Sequence, residues 1–399
     1  MSLALAIKKN AVSLAETQTT YKENVVAVNT LITSVLTSKL PTLKQNPPDW
    51  ADFVSAYEQA NADALNWVND VMARLLNVPD DVRDYNNIIS NLLQDAKKQA
   101  GTLVQSPTNK NALDILNVDL SLISEQFGNI TTFISSAITS IQTFKDKLPD
   151  MATQLQTIAD KSTKDANADQ AQIDKLNQDI QRLRNDIKSL TAAIVALGIA
   201  DGVALTLGIV ATIAAWPVGA LTWIVLGPIV AVATTYIALD ALQIKADKAA
   251  IEADQAAISG LTADVATLHI LTKNFAAMSD ETKAIETNLL AVLVEWQTLE
   301  SEVNAAVSDT QTAIADASSA NFSAVLNDIN GAISEWNAAY AQAGDLHLDL
   351  QVNTAQLQLG MPSNQVQSAL AGGQVISILQ YYNQLGVSRK RQAAPAGVA

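Results

Sequence analysis

Hydrophobic residues recur along most of the chain at the three- and four-residue spacing of an amphipathic helix. The longest faultless run lies between residues 113 and 144, where apolar residues occupy ten successive positions of the pattern. These are Leu113, Leu116, Leu120, Ile123, Phe127, Ile130, Ile134, Ala137, Ile141 and Phe144. A stripe of this length predicts a helix that packs against other helices along its whole length.

The same spacing returns in later stretches that begin at Ile173, Ile237 and Ile285. Prolines divide the chain between such stretches, because proline lacks the backbone N–H and clashes with the preceding helical turn. Breaks are predicted at Pro41–Pro48, Val78-Pro79, Ser106–Asn109 and Leu148-Pro149. The sequence therefore predicts an all-α fold, an elongated bundle of long antiparallel coiled-coil helices formed by residues 1–188 and 240–399.

Two regions depart from a simple bundle pattern. No proline occurs between Pro149 and Pro217, so one helix of about 65 residues is predicted there, about 100 Å long. Near the C-terminus, Leu346, Leu348, Leu350 and Val352 alternate with polar residues, which predicts a short strand without an evident partner. Residues 363–386 predict a final helix interrupted at Gly372-Gly373.

The most unusual segment is an apolar block at residues 189–239, whose only charged residue is Asp201. We call this segment the head. A helix needs about 20 apolar residues to cross a bilayer, so the head is long enough to cross twice. Leu190–Ala215 and Leu221–Leu239 are therefore predicted to form a membrane-inserting helical hairpin around the turn Trp216-Pro217-Val218-Gly219. Two alternatives remain open: a β-hairpin tongue, because Gly202–Thr212 is rich in Val, Ile, Leu and Thr, and a buried pair of core helices.

Apolar and aromatic side chains of the head are the candidates for insertion into a bilayer. They are Leu190, Ile194, Leu197, Ile209, Ile213, Trp216, Pro217, Val218, Trp223, Leu226, Ile229 and Tyr236. Asp201 and Thr212 are candidates to line a pore, since they share one face of an ideal helix with Gly208. The alternative for Asp201 is a solvated or capping residue at the edge of the head.

Composition removes several function classes. The chain has no Cys and two His, so it offers neither thiolate chemistry nor a His-based metal centre, and no cofactor is expected. Its net charge of −15 argues against nucleic-acid binding, which needs a basic surface. Carboxylates such as Glu252, Asp254 and Asp264 are expected on solvated helix faces, and no catalytic motif is present, so we do not expect an enzyme.

A helical bundle interrupted centrally by an uncharged hairpin resembles the alpha-helical pore-forming toxins of the cytolysin A type. Within these it is most similar to the membrane-spanning component of the tripartite haemolysin BL and non-haemolytic enterotoxin group. The resemblance covers the whole chain in layout: N-terminal helices, the heptad helix at 111–148, the hairpin at 189–239 and the returning helices. It implies a secreted protein that binds a target bilayer, forms a homo-oligomer, joins partner toxin components and inserts its head.

The beginning of the sequence does not match the usual export signal. Met1–Lys9 lacks a positively charged region before its short apolar run, so export without a classical signal peptide is expected. Two other functions stay open at this stage. One is a resident membrane-anchored coiled-coil scaffold or tether, and the other is a soluble structural bundle that never contacts a membrane.

Overall fold

The structure is a computed structural model of the 399-residue chain. It describes residues 2–37, 40, 43, 45–144, 147–200, 204–215, 221–231, 239–343 and 349–393. Long helices account for most of these residues, and the prediction of a helical bundle is confirmed. The helices are α1 (Leu3–Thr37), α2 (Trp50–Trp67), α3 (Ala73–Gln105), α4 (Lys110–Phe144), α5 (Lys147–Asp165), α6 (Gln170–Ala200), α7 (Leu242–Ala257), α8 (Gly260–Ile314), α9 (Phe322–Ala343), α10 (Ser363–Gly372) and α11 (Ile378–Ala393).

Contacts divide the chain into two compact units. The first comprises Met1–Lys22, Arg74–Ile141 and Ile285–Leu348. Its core holds the apolar stripe of α4, whose members from Leu116 to Ile141 are buried as predicted. The ring of Phe127 contacts Trp296 at 6.2 Å and Trp336 at 5.4 Å between centroids, so α4 packs against both α8 and α9 here.

The second unit comprises Glu23–Ala73, Gln142–Ala284 and Asp349–Ala399. Its aromatic core joins α2 to α8 through an edge-to-face contact of Tyr57 with Phe275, 5.6 Å between centroids. Helix α6 packs against α7, and both bury their predicted apolar rows. The buried residues of these rows are Ile173, Leu176, Ile180, Leu183, Ile187, Ile244 and Ile251.

Two predicted helix boundaries are wrong. The helix expected to run unbroken from about residue 150 is interrupted between α5 and α6, where Asn167 adopts a left-handed φ of 48°. Asp169 then begins α6 by accepting hydrogen bonds from the N–H groups of Ala171 and Gln172 at 3.0 and 3.2 Å. Conversely, Val78-Pro79 does not end a helix, because α3 runs through it after a π-helical turn at Val68–Met72.

The head departs most from the predicted all-helical fold. Two of its segments form strands, β1 (Leu205–Ala215) and β2 (Leu221–Ala231), where helices were predicted at Leu190–Ala215 and Leu221–Leu239. Only the first part of that hairpin, up to Ala200, is helical and belongs to α6. The β-branched residues of this segment favour strands, and strand pairing satisfies its backbone groups. With β3 (Leu350–Leu357) and β4 (Val375–Ser377) these strands form a sheet of order β2-β1-β3-β4.

Candidate functional site

The centre of the head is an antiparallel hairpin of β1 and β2, paired from Thr206 with Ala231 to Ala215 with Leu221. Each strand has 11 residues, about 36 Å of extended chain. The register shifts after Val210, where Leu226 is the additional residue of a β-bulge. Pro228 lies on β2, an edge strand of the described sheet, which is the position in a sheet where proline is ordinarily found.

The other edge of β1 is paired in parallel with β3, from Leu205 with Leu350 to Val210 with Leu357. Leu205 N–H donates to the Asp349 carbonyl at 2.8 Å, at the start of the hairpin. Gly360 N–H donates to the Leu239 carbonyl at 2.8 Å, where the chain leaves the head. We call residues 349–360 the clasp, because this segment is hydrogen-bonded to the start of the hairpin at Leu205 and to Leu239, the last residue of the head.

Polar side chains fix the far edge of the clasp. Asn353 is buried, donates to the Leu370 carbonyl at 2.8 Å and accepts from Ala355 N–H at 2.9 Å. Thr354 N–H bonds the Gln374 carbonyl at 2.9 Å, next to the β3–β4 ladder. The alternation at Leu350 and Val352 predicted the strand β3. The sequence did not predict that β1 and β4 would pair with it.

The first half of β1, residues 205–210, packs into the protein interior. Leu205, Leu207 and Val210 of β1 are buried, and α6 contacts both hairpin strands. From residue 211 to the end of β2 the structure describes the backbone of the strands, with the chain between 216 and 220 outside the described residues.

The predicted membrane-inserting residues fall on three elements. Ile194 is buried on α6, Leu190 is partly exposed there, and Leu197 belongs to the same helix. Ile209 and Ile213 lie on β1 together with Thr212, and the residues on β2 are Trp223, Leu226 and Ile229. The register pairs Ile213 with Trp223. Trp216, Pro217, Val218, Tyr236 and the pore-lining candidate Asp201 lie outside the described residues.

The helical argument for a pore-lining stripe does not apply to this conformation. Gly208 and Thr212 lie on a strand, where alternate residues share a face, rather than on one side of a helix. Among the described residues, no helix combines the length and the hydropathy required to span a membrane. The described residues contain no cluster of His, Cys, Asp and Glu able to hold a metal ion.

The two helices that lead into and out of the head are joined by ion pairs. Arg182 of α6 donates to Asp247 of α7 at 2.9 Å and also pairs with Asp179, while Lys175 pairs with Asp254. Asp247 and Asp254 are buried, and burial is the main reason that the pKa of Asp247 is raised, with a further contribution from neighbouring Asp186.

The expectation that Asp254 and Asp264 lie on solvated faces is wrong. Both are buried, because each has a specific partner: Lys175 for Asp254, and for Asp264 the backbone N–H of Gln45 at 3.0 Å. Glu252 is exposed, as expected.

No protein-family model and no curated protein sequence matches the chain. Solved structures nevertheless share its fold over nearly the whole length. SmhB of the tripartite alpha-pore-forming toxin Smh from Serratia marcescens, in soluble form, has a TM-score of 0.64 at 14% identity and covers 96% of this chain and 99% of its own. Soluble AhlB of the tripartite alpha-pore-forming toxin AHL from Aeromonas hydrophila has a TM-score of 0.66 at 15% identity, covering 90% and 99%. Motility Associated Killing Factor B from Vibrio cholerae has a TM-score of 0.68 at 13% identity, covering 93% and 99%.

The fold is thus that of alpha-pore-forming-toxin components, and the family resemblance drawn from the sequence is confirmed at the level of the fold. SmhB and AhlB are both components of tripartite toxins. The three neighbours are described as toxin components or as a killing factor, and none as an enzyme.

Proposed function

We propose that this chain is the membrane-inserting subunit of a multi-component alpha-pore-forming toxin. The observation that carries the proposal is the head. It is a stretch of 51 residues with one charge, whose strands β1 and β2 form a hairpin. The clasp is hydrogen-bonded to Leu205 at the start of β1 and to Leu239, the last residue of the head. The chain would leave the producing cell, meet a target bilayer and then release this hairpin.

An open hairpin is a poor structure for a bilayer core. Hydrocarbon offers no hydrogen bonds, so the free edge of β2 and the edge of β1 exposed by leaving β3 would each keep unpaired backbone groups. A helix satisfies all of these groups within one segment. We therefore propose that insertion extends α6 through β1, so that Leu190–Ala215 and Leu221–Leu239 become the two spanning helices.

This conversion requires β1 to separate from the clasp. The pairs to be broken run from Leu205–Leu350 to Val210–Leu357, together with the bond between Gly360 and Leu239. The apolar side chains of the head, Trp216, Val218 and Leu226 among them, would then contact lipid. Asp201 and Thr212 would remain the residues available to a water-filled lumen, since a charge facing lipid is costly.

Oligomerisation and partner components belong to the same proposal. A water-filled lumen must be lined by polar side chains. The head has one acidic residue and a few threonines, too few to line a lumen built from this chain alone. We propose that copies of the chain assemble on the target membrane with partner toxin components that complete an amphipathic pore. The names of SmhB and AhlB, which are components of tripartite toxins, support this arrangement.

The test is release of a fluorescent dye from phosphatidylcholine vesicles, with vesicle flotation to measure binding. Val218→Lys and Leu226→Lys place a charge in the inserting hairpin and should abolish binding and release. Leu242→Lys is the matched control, because Leu242 is 84% exposed on α7 outside the head and should tolerate a charge. Circular dichroism verifies that all three variants fold.

Each outcome bears on the proposal. Flotation of the wild type without dye release would support an inserting subunit that needs partners, and the Lys variants should then fail to float. Wild-type protein that neither binds nor permeabilises vesicles would overturn the proposal. Recovery of the protein only with detergent, from membranes of the producing cell, would favour a resident scaffold instead.

A further inference from the structure

A cavity of about 400 Å³ lies in the second unit between α5, α6 and α8. Amide side chains form much of its wall, together with the charged residues Asp160, Asp174, Arg184 and Lys273 and the ring of His269. None of these residues belongs to the head, and the proposed pore-forming function gives them no role.

Arg184 is the unusual member of this group. Its guanidinium donates to the side-chain oxygen of Asn274, and within the described part of the chain no carboxylate forms an ion pair with it. Arg182, two residues earlier on α6, pairs with both Asp179 and Asp247. Burial without a compensating anion lowers the pKa of Arg184 to about 10. Arg184 is half-buried, and a cation partly removed from water without an ion-pair partner carries a desolvation cost that a bound anion would offset.

The carboxylates in the cavity wall have other partners. Asp160 accepts a hydrogen bond from Gln156 at 2.8 Å, and Asp174 accepts one from Gln170 at 2.7 Å, each from four residues earlier in the chain. Lys273 is exposed at the cavity and forms no ion pair among the described residues, so it adds a second unpaired positive charge. The wall therefore holds two cations that form no ion pair among the described residues, beside two carboxylates that are hydrogen-bonded to neutral amides.

His269 also lines the cavity, and its ring can gain a positive charge by taking up a proton. Its Nδ1 lies 3.3 Å from Nε2 of Gln156, and its Nε2 lies 2.9 Å from Oγ1 of Thr163. The Gln156 Nε2 can only donate, so Nδ1 accepts and the ring is neutral in this arrangement. An anion beside the ring would favour its protonated form.

We propose that this cavity binds an oxyanion of the phosphate class, with Arg184 as the principal ligand and Lys273 beside it. The planar fork of an Arg suits two phosphate oxygens at once, while a Lys contributes a point charge. Bound phosphate would tie α6, the helix that enters the head, to α8. This inference does not depend on the proposed pore-forming function.

The test is isothermal titration of inorganic phosphate into the full chain, with chloride at equal ionic strength as the reference. Wild type should bind saturably, and Arg184→Gln should weaken binding about tenfold or more, the range expected for loss of a charged hydrogen bond. Arg182→Gln is the matched control, since it removes a cation from the same helix outside the cavity, and should leave affinity within about twofold.

A second site variant keeps the proposal testable if Arg184→Gln folds poorly. Lys273→Gln alters an exposed side chain, should fold, and should weaken phosphate binding several-fold. Thermal unfolding should show that phosphate raises the Tm of the wild type more than that of Arg184→Gln, which separates site binding from the general stabilisation that phosphate gives proteins. Absence of saturable binding to the wild type, or equal affinity in Arg184→Gln, would overturn the proposal.

The same variants distinguish a free phosphate from a lipid headgroup. In flotation with vesicles of phosphatidylcholine alone or with phosphatidic acid added, a headgroup site predicts that Arg184→Gln loses the extra binding given by phosphatidic acid. A site for free phosphate predicts equal flotation of wild type and Arg184→Gln on both vesicles, with the difference between them confined to the titration.

Discussion

The hydroxyl of Tyr21 donates a hydrogen bond to the backbone carbonyl of Leu75 at 3.3 Å. Leu75 lies four residues before Pro79, so its carbonyl is the one that the missing N–H of the proline would have bonded. Burial raises the pKa of Tyr21 far above its usual value, which keeps the hydroxyl protonated and able to donate. This bond provides a physical reason why α3 continues through a proline at which the sequence predicted a helix end.

Replacing Tyr21 with Phe should therefore destabilise the first unit by about 1–3 kcal/mol, because a buried carbonyl is left without a partner. Urea unfolding measures the change. In a Pro79→Ala background residue 79 regains its N–H, and the same Tyr21→Phe substitution should cost clearly less. Equal costs in the two backgrounds would show that the hydroxyl does not substitute for the missing amide.

The helices were largely predictable because their signal is local. The stripe from Leu113 to Phe144 repeats within one segment, and the structure buries its members from Leu116 to Ile141 on α4. The Tyr21–Leu75 bond was not predictable, since it joins residues 54 apart in sequence through a side chain with no periodic signature.

The structure of the head was not predictable, because it depends on residues distant in sequence. A short apolar run does not distinguish a buried helix from a strand, and the outcome depends on a partner elsewhere in the chain. Here the partner of Leu207 is Val352, on a strand more than one hundred residues later in sequence. The alternation at Leu350 and Val352 indicated a strand, but nothing in one sequence connects it to the head.

Asn353 and Gly373 approach each other so closely that only glycine fits at position 373. A Cβ on Gly373 would lie 1.9 Å from Oδ1 of Asn353 and 2.9 Å from Cβ of Ala355. Gly373→Ala should therefore destabilise the β3–β4 edge of the sheet by about 1–3 kcal/mol, the usual range for overpacking. A fall in Tm and faster amide hydrogen exchange in β3 would report it.

The neighbouring glycine provides the control. A Cβ on Gly372 meets no atom within 4 Å, and this residue ends α10, so Gly372→Ala should be neutral or slightly stabilising. If the two alanine variants unfold alike, the close approach of Asn353 is not what requires glycine at 373.

His269 should make the stability of the second unit depend on pH. Burial lowers the pKa of His269 below its ordinary 6.5, while Asp160 and Asp174 oppose that shift and Lys273 adds to it. The unfolded chain then takes up a proton at a higher pH than the folded chain. The free energy of unfolding should fall as the pH drops from about 6.5 towards the folded-state pKa, and this contribution should be constant above that range.

His269→Gln retains hydrogen-bonding groups but cannot titrate, so it should flatten the stability profile in this window. Urea unfolding between pH 7.5 and about 5 compares the two proteins. The pKa of Glu302 is lowered mainly by its hydrogen bond from Lys9. Its contribution to the free energy of unfolding is therefore lost only at more acidic pH, and it is lost in both proteins. Parallel profiles for wild type and variant would assign the pH dependence to other groups.

The clasp offers the most direct test of hairpin release. Thr206 and Gln351 are register partners on the parallel strands β1 and β3, and both are partly exposed. Adjacent strands lie about 4.8 Å apart, within the Cα separation that a disulfide accepts. The chain has no cysteine of its own, so Thr206→Cys with Gln351→Cys would form a single defined crosslink between the hairpin and the clasp.

If β1 must leave β3 for the head to insert, the oxidised double variant should float with vesicles weakly and release little dye, and a reducing agent should restore wild-type behaviour. Each single cysteine variant, treated with the same oxidant, should act like the wild type. Circular dichroism on vesicles gives a readout that needs no partner components, because helix content should rise only in the reduced protein. A crosslinked protein that still gains helix and inserts as the reduced form does would mean that the hairpin reaches the bilayer without leaving the clasp.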